Sequence, residues 1–191
     1  MDQAYIYDRV FEHCDFTTTE LERGEYECCR FINCDFSKVD LSDFVFSECA
    51  FSGCNLSLAN LGGSAFREVA FRDCKMLGLH FDTCNEFGLA FSFDNCIVNH
   101  SSFHKTRIRN TLFKDSLLHE VDFTDSDATE ARFDCCDLAR ATFHHTILEN
   151  ADFHTSFNYA IDPEMNRVKH AVFSVNGLAG LLSKYDLDIR G

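Results

Sequence analysis

Proline and tryptophan are almost missing from this sequence. Its 191 residues include one proline and no tryptophan, and no run rich in glycine and serine divides them. Nothing therefore marks a linker, and a single domain is predicted. No apolar run approaches the roughly eighteen residues of a membrane helix, and the first residues lack the basic and apolar stretch of a signal peptide. We expect a cytoplasmic protein with no membrane partner.

The usual signs of catalysis are also lacking. No nucleophile, metal-ligand set or phosphate-binding loop is recognisable, so we expect no enzyme activity, no catalytic residue, no metal and no cofactor. Basic residues are outnumbered, with 17 Lys and Arg against 31 Asp and Glu and a net charge of −14. The one basic stretch, Lys105 to Lys114, is attributed to balance with neighbouring acidic turns, and direct binding of nucleic acid is not expected.

What the sequence does contain is a strict period of five residues. Phenylalanine recurs every ten residues from Phe93 to Phe153, and apolar or small residues stand midway between. Helices repeat about every 3.6 residues and strands every 2, so this period indicates a coil of short stacked repeats. The first half follows the same period in another frame, through Ile6, Phe11, Phe16, Leu21, Tyr26, Phe31, Phe36, Leu41, Phe46, Phe51, Leu56, Leu61, Phe66, Phe71, Met76 and Phe81.

A second inward position lies two residues before each large apolar residue, and it holds small side chains. Of the 11 cysteines, all but Cys28 and Cys135 occupy this position. A small core residue in a reducing compartment is the simplest role for them, so we expect free, buried thiols. Cys28 and Cys135 fall on outward positions and are predicted to be the most exposed.

These repeats carry a resemblance. Segments such as Cys14-Asp15-Phe16-Thr17-Thr18 and Ala151-Asp152-Phe153-His154-Thr155 have a small residue, Asp or Asn, then Leu or Phe, and two free positions. This pattern resembles the pentapeptide-repeat family. The resemblance implies an all-β fold, a right-handed quadrilateral parallel β-helix in which four repeats make one turn of twenty residues. Folded at that interval, Phe11, Phe31, Phe51 and Phe71 fall in one column.

One interval departs from the period. Phe81 and Phe93 are twelve residues apart instead of ten, so two residues are extra between 83 and 92. If they bulge outward, Phe93 returns to the column of Phe71 and the coil continues unbroken. We predict a small protrusion there, a possible partner contact formed by Asn85, Glu86 and Phe87.

The repeat decays after Phe153. We predict a β-helix over residues 1–157 and a C-terminal module over 158–191, which contains a short apolar helix from Val175 to Lys184. A coil end exposes its core and must be covered. The surplus of apolar side chains on so short a segment predicts a homodimer interface formed by Phe173, Val175, Leu178, Leu181, Leu182 and Tyr185.

The tail narrows the resemblance. The runs Ala160-Ile161-Asp162-Pro163, Phe173-Ser174 and Leu178-Ala179-Gly180-Leu181-Leu182 resemble the quinolone-resistance (Qnr and MfpA-like) branch of the family. That branch implies an end-to-end dimer that mimics DNA and binds DNA gyrase or topoisomerase IV. The chain resembles the loop-poor members, so protection from quinolones and plain inhibition both remain open.

The contact surface is predicted in the acidic band between residues 115 and 137. The predicted coil is roughly 36 Å long, and duplex DNA of that length carries about 21 negative charges. The alternative hypothesis is a pentapeptide-repeat scaffold, or an immunity protein, that binds another protein. Which topoisomerase, drug or toxin is involved cannot be read from the sequence. The predicted contacts are Asp115, Glu120, Asp122, Asp125, Asp127, Glu130, Asp134 and Asp137.

Overall fold

A computed structural model describes residues 4–188 of the chain as one parallel β-helix with a short helical end. All strands are short because each spans a single side of the coil. In chain order they are β1 (Ala4–Tyr7), β2 (Val10–Glu12), β3 (Gly24–Glu27), β4 (Arg30–Ile32), β5 (Val45–Ser47), β6 (Ala50–Ser52), β7 (Ala65–Arg67), β8 (Val69–Arg72), β9 (Phe91–Asp94), β10 (Leu112–Lys114), β11 (Arg132–Asp134), β12 (Asp152–Phe153) and β13 (Val172–Phe173).

The coil has four sides, which we call walls A, B, C and D in the order in which the chain forms them in each turn. Wall A begins as the sheet β1-β3-β5-β7 and resumes at the bridge between Arg107 and Asp127. Wall B is a sheet of nine strands, from β2 to β13. Walls C and D consist of single parallel bridges, such as Asp15 with Asp35 and Asp40 with Asn60. The quadrilateral parallel coil expected from the repeats is therefore confirmed.

A column of stacked phenylalanine rings fills the side of the core beneath wall B. The strands pair with an offset of twenty residues, as in Phe113 with Phe133, so chemically similar side chains lie directly above one another. Ring centroids are 4.6 to 5.4 Å apart along the whole column. Its members are Phe11, Phe31, Phe51, Phe71, Phe93, Phe113, Phe133, Phe153 and Phe173.

The turn with two extra residues keeps this register. Phe71 pairs with Phe93 across β8 and β9, an offset of twenty-two residues. A 3-10 turn at Phe81–Thr83 precedes the extra residues, which project from wall A. The phenylalanine column therefore continues unbroken past the two extra residues, and Asn85, Glu86 and Phe87 are exposed.

Most corners of the coil are made by a residue with left-handed backbone. Lys38, at φ 61°, stands in a tight turn in which the N–H of Val39 donates to the carbonyl of Phe36 at 3.0 Å. On walls C and D the preceding Asp or Asn supports the turn, since the carboxylate of Asp35 accepts the N–H of Ser37 at 2.8 Å. The frequent Asp or Asn before the large core residue is explained by this local hydrogen bond.

The cysteines behave as small core residues. All 11 are free, and eight are buried. Cys14 is only half-buried because it lies in the first turn, below which the described chain has no further turn. Burial raises the pKa of Cys49, Cys84 and Cys136 to about 12, so these thiols stay protonated. Cys135 is exposed and Cys28 half-buried.

Helical turns close the C-terminal end. A 3-10 turn at Val175–Gly177, α1 (Leu178–Leu181) and a 3-10 turn at Ser183–Tyr185 occupy the segment predicted as a helix. Ser174 caps the first turn, its hydroxyl accepting the N–H of Gly177 at 3.1 Å. A β-carbon at Gly180 would lie 2.1 Å from the carbonyl oxygen of Tyr159, so only glycine lets α1 pack this closely.

Two expectations about this end need correction. Parallel pairing continues past residue 157 to β13, because the loss of the five-residue pattern does not remove the strand partners. Phe173 is therefore the last ring of the stacked column, 5.3 Å from Phe153. Leu181 also packs against the core, so both residues are partly buried within a single chain. Within residues 4–188, no helix is long and apolar enough to cross a membrane.

Candidate interaction surface

The acidic band occupies slightly more than one full turn of the coil and surrounds it. Asp115, Glu120, Asp125 and Glu130 are left-handed residues at its four successive corners. The other four, Asp122, Asp127, Asp134 and Asp137, lie on walls D, A, B and C. No single flat partner can contact all eight at once.

Asp127 is a structural carboxylate. It is buried, with 9% of its surface exposed. Its Oδ2 accepts the Nε of Arg109 at 2.6 Å, and its Oδ1 accepts the N–H and hydroxyl of Thr129 at 3.2 and 2.6 Å. Burial opposes ionisation, but Arg109 and Thr129 outweigh it and hold the pKa of Asp127 below its ordinary value. Its charge is therefore used within the molecule.

Asp137 is engaged in the same way. Its carboxylate lies 2.9 Å from Nε2 of His119, and it accepts the side-chain amide of Asn158 at 2.8 Å and the N–H of Ala139 at 3.1 Å. Burial again raises its pKa, and the hydrogen bond from Asn158 together with the neighbouring His119 ring more than reverses that effect. Asp137 thus supports wall C and is a poor candidate for a partner contact.

The remaining band residues differ in how far they are neutralised. Glu120 pairs with Arg140 at 2.5 Å, and Asp134 pairs with Arg132 at 2.7 Å. Asp115 and Asp125 have looser pairs, with Lys114 at 3.6 Å and with His145 at 3.7 Å. Within the described residues, Asp122 and Glu130 form no ion pair. Asp122 is half-buried, and its Oδ1 accepts the N–H of Thr124 at 2.9 Å. The carboxylates most available to a partner are therefore Asp115, Asp125 and Glu130.

A second acidic surface lies towards the N-terminus. Asp8, Glu48 and Glu68 are exposed left-handed corner residues in one column at the edge between walls A and B, and Glu25 lies beside them on wall A. None of the four forms an ion pair with another described residue. The signal was present in the sequence, since residues 2–48 contain twelve acids against four bases, but the predicted contact was placed in the later band.

The protrusion presents an aromatic side chain on a fixed loop. Phe87 is 79% exposed. The loop is held at both ends by the turn below, because the N–H of Asn85 donates to Ser64 at 2.8 Å and that of Ala90 to Phe66 at 2.9 Å. The N–H of Phe87 donates to the side chain of Asn85 at 2.9 Å. An ordered, exposed phenylalanine suits a contact with a protein partner.

The C-terminal cap leaves part of its predicted interface uncovered. Val175 is 84% exposed, and Leu178, Leu182 and Tyr185 are also exposed. Tyr185 is fixed at its hydroxyl, which donates to Glu164 at 3.1 Å. Four of the six residues predicted for the dimer interface thus face outward at the end of the coil.

The basic stretch is only partly balanced. Arg109 is paired with Asp127, and Lys114 lies 3.3 Å from Asp94. Lys105 and Arg107 are exposed and form no ion pair with a described residue. In the described part of the chain, no three His, Cys, Asp or Glu residues are grouped so as to hold a metal ion.

The geometry defines a class, a β-helix built from five-residue repeats. Residues 25–91 match a model of a pentapeptide repeat region, and residues 116–154 match a model of pentapeptide repeats in eight copies. Together these stretches cover more than half of the chain. The protein therefore belongs to the pentapeptide-repeat family.

Solved structures show the same fold. Full-length QnrB1, a plasmid-mediated fluoroquinolone resistance protein, aligns with a TM-score of 0.50 at 16% identity, covering 96% of this chain and all of that one. A trypsin-treated QnrB1 variant aligns with a TM-score of 0.55 at 17% identity, covering 98% of this chain and 92% of that chain. At identities this low, the structural alignments establish the shared fold alone. No curated protein sequence matches the chain.

Proposed function

We propose that this protein is a DNA mimic that binds a type II topoisomerase, DNA gyrase or topoisomerase IV. The observation that carries the proposal is the placement of exposed carboxylates, Asp115, Asp125 and Glu130, on the corners of a continuous coil. Each turn advances by the strand spacing of about 4.8 Å, so the nine strands of wall B extend over roughly 40 Å. The described surface offers no clustered metal ligands, and binding rather than catalysis is the activity we assign.

The charge of the chain supports the proposal in magnitude. Duplex DNA carries one charge per about 1.7 Å, or about 23 over roughly 40 Å. The chain has a net charge of −14. A monomer therefore carries more than half of the charge that a DNA segment of this length presents to a basic groove. The likeness of the fold to QnrB1, a fluoroquinolone resistance protein, fits this function.

Two copies joined at the C-terminal cap would double the length of the rod. Val175, Leu178, Leu182 and Tyr185 supply the apolar surface for that contact. The acidic band would then lie closer to the dimer centre than the N-terminal acidic surface does. We assign the topoisomerase contact to the available carboxylates of the band.

A supercoiling assay tests this function directly. Gyrase is titrated with the protein, with and without a fluoroquinolone. Restored supercoiling in the drug indicates protection, whereas inhibition without rescue indicates competition with DNA. No effect at micromolar concentration, with a folded protein confirmed, would overturn the proposal.

The contact surface is tested by reversing charge where the fold does not use it. The triple variant Asp115→Lys, Asp125→Lys, Glu130→Lys changes exposed corner carboxylates. Asp122 is avoided because it accepts the N–H of Thr124, and Asp127 because it binds Arg109 and Thr129 inside wall A. The matched control reverses Asp8, Glu48 and Glu68 at the other end of the coil. Equal loss of gyrase binding in both variants would indicate a response to overall charge and not to this surface.

A second function is favoured by the protrusion. An exposed phenylalanine on a hydrogen-bonded loop is not needed to imitate a polyanion, and it suits a scaffold or immunity protein that binds another protein. Phe87→Ala separates the two functions. If the variant still binds gyrase, the result supports the DNA-mimic function. If the variant loses binding to a protein other than a topoisomerase, the result supports the scaffold function.

A further inference from the structure

The N-terminal end of the coil has two open sheet edges. Among residues 4–188, strand β1 pairs only with β3, and β2 pairs only with β4, so each is the terminal strand of its sheet as described. At the opposite end, the helical turns pack against the last rung of the coil. No described element covers the first turn in the same way.

The backbone at this edge is ready to pair. In later turns of wall A, the residue before the central one donates its N–H backwards, as Ala65 does to Phe44 at 2.8 Å. Tyr5 holds the equivalent position in β1, and the register of β1 with β3 places it directly below Glu25. Its N–H therefore points away from the coil, where no described residue accepts it. An unpaired donor of this kind is a template for an added parallel strand.

The core side chains of the first turn are also incompletely covered. Ile6, Phe11 and Cys14 are only half-buried, whereas their counterparts one turn later, Tyr26, Phe31 and Cys34, are buried. An added strand with an apolar side chain facing inward would stack on Ile6, as Ile6 stacks on Tyr26. Covering this surface is favourable in proportion to the apolar area removed from water.

The outward residues of the same edge select the chemistry of the added strand. Tyr5 and Tyr7 flank Ile6 and are 59% and 58% exposed. Glu25 and Glu27 lie directly above them, and Asp8 follows at the corner. Cationic side chains of an added strand would lie against the two tyrosine rings and two strand spacings, about 10 Å, from Glu25 and Glu27, with Asp8 at the near corner.

We infer that the edge of β1 is a docking site for an extended peptide segment that alternates basic and apolar residues, bound by strand addition. This inference does not rest on the proposed topoisomerase binding. A second copy of this chain is a poor occupant, because edge-to-edge pairing would bring Asp8, Glu25 and Glu27 of one copy against those of the other. Charge complementarity favours the basic segment.

Fluorescence anisotropy with a labelled, end-blocked peptide of alternating Arg and Val tests the inference on the full chain. We expect saturable binding that weakens with salt, and at least about tenfold weaker binding of a Glu-Val peptide. An Arg-Val peptide N-methylated at its Val residues keeps its charge but loses the N–H groups that would face β1 when Val points inward, and it is expected to bind about tenfold more weakly.

Charge variants locate the site. Asp8→Arg with Glu25→Arg is expected to weaken Arg-Val binding by at least about tenfold. The matched control is Glu130→Arg, a residue at the same corner of the coil far from this edge, and it is expected to change binding less than about twofold.

Four results would overturn the inference. The first is no binding at about 1 mM peptide, and the second is equal binding of the N-methylated peptide. The third is binding that appears only after residues 1–3 are removed, since that result would mean that the intact chain itself blocks the edge. A concentration-dependent dimer that is lost in the Asp8 and Glu25 variant would also contradict it.

Discussion

Phe71 and Phe93 stack with ring centroids 5.4 Å apart, although twenty-two residues separate them along the chain. Every other step in this column takes twenty residues. The two extra residues are accommodated on wall A, where Asn85 and Ala90 still bond to the turn below. The stacked core therefore continues through this turn although the turn is two residues longer than the others.

The stacked column should dominate stability. Phe113 is fully buried, 4.9 Å from Phe93 and 5.0 Å from Phe133. Phe113→Ala is expected to lower the free energy of unfolding by about 3–5 kcal/mol, since it leaves a cavity between two rings. Denaturant titration measures this change. Phe87→Ala is the control, because that ring is 79% exposed, and a comparable loss there would contradict our description of the loop.

Asp127 should matter for folding more than for charge. Asp127→Asn removes the charge that Arg109 pairs with at a buried position, and a loss of about 2 kcal/mol in unfolding free energy is expected. Thermal and denaturant unfolding give the value. Glu130→Gln removes the same charge from an exposed corner and should leave stability unchanged. Equal effects would show that net charge, and not the pair, is responsible.

Acid should destabilise the protein through Asp127 and Asp137. Their pKa values in the folded state lie below the ordinary value of 3.8, so their contribution is present above that pH and is lost as the pH falls through the folded pKa. Unfolding free energy is therefore expected to fall below pH 3.8. The Asp127→Asn variant should show a shallower decline between pH 5 and the acid limit, measured by denaturant titration at each pH. An unchanged slope would contradict the assignment.

Thiol titration should find eleven reactive cysteines after denaturation without reductant. In the native protein Cys135 should react first because it is exposed, and Cys28 more slowly because it is half-buried and its pKa is raised, by burial and then by Glu48. Cys135→Ser should remove the fast phase. Far fewer than eleven thiols in the denatured protein would reveal disulfides.

Charging the exposed end of the cap should prevent dimerisation. Val175→Asp with Leu178→Asp places two carboxylates on side chains that are 84% and 47% exposed, so the monomer should still fold. Sedimentation velocity is expected to show a dimer for the original chain and a monomer for the variant. A monomer in both cases would refute the proposed interface.

The fold was readable from the sequence because the repeat is local. Each large inward residue recurs at a fixed interval, and the same interval sets the strand register, so Phe31 and Phe51 could be placed together without any structure. The end of the coil was less readable. Phe173 follows a stretch without the repeat, yet it lies in a strand because β12 supplies a pairing partner. A strand in the preceding turn, and not the local repeat, determines whether the sheet extends to the next turn.

The surface could be predicted less well than the core. The sequence shows that Asp127 and Glu130 are both acidic, but only their positions show that one is buried against Arg109 and the other is an exposed corner residue. Ion pairs between neighbouring turns join residues about eighteen to twenty-two apart, such as Glu149 with Arg167. Side-chain reach across a turn determines these pairs, and the repeat pattern does not encode it.

The displaced turn at residues 83–90 has a consequence for engineering. Loop closure entropy rises only slowly with length, by about 0.6 kcal/mol for each doubling. The hydrogen bonds at Asn85 and Ala90 hold the two ends of the loop to the rung below, while the phenylalanine column runs past on wall B. This loop is therefore a suitable site for inserting a foreign peptide epitope, because the insertion would not change the strand register of any later turn.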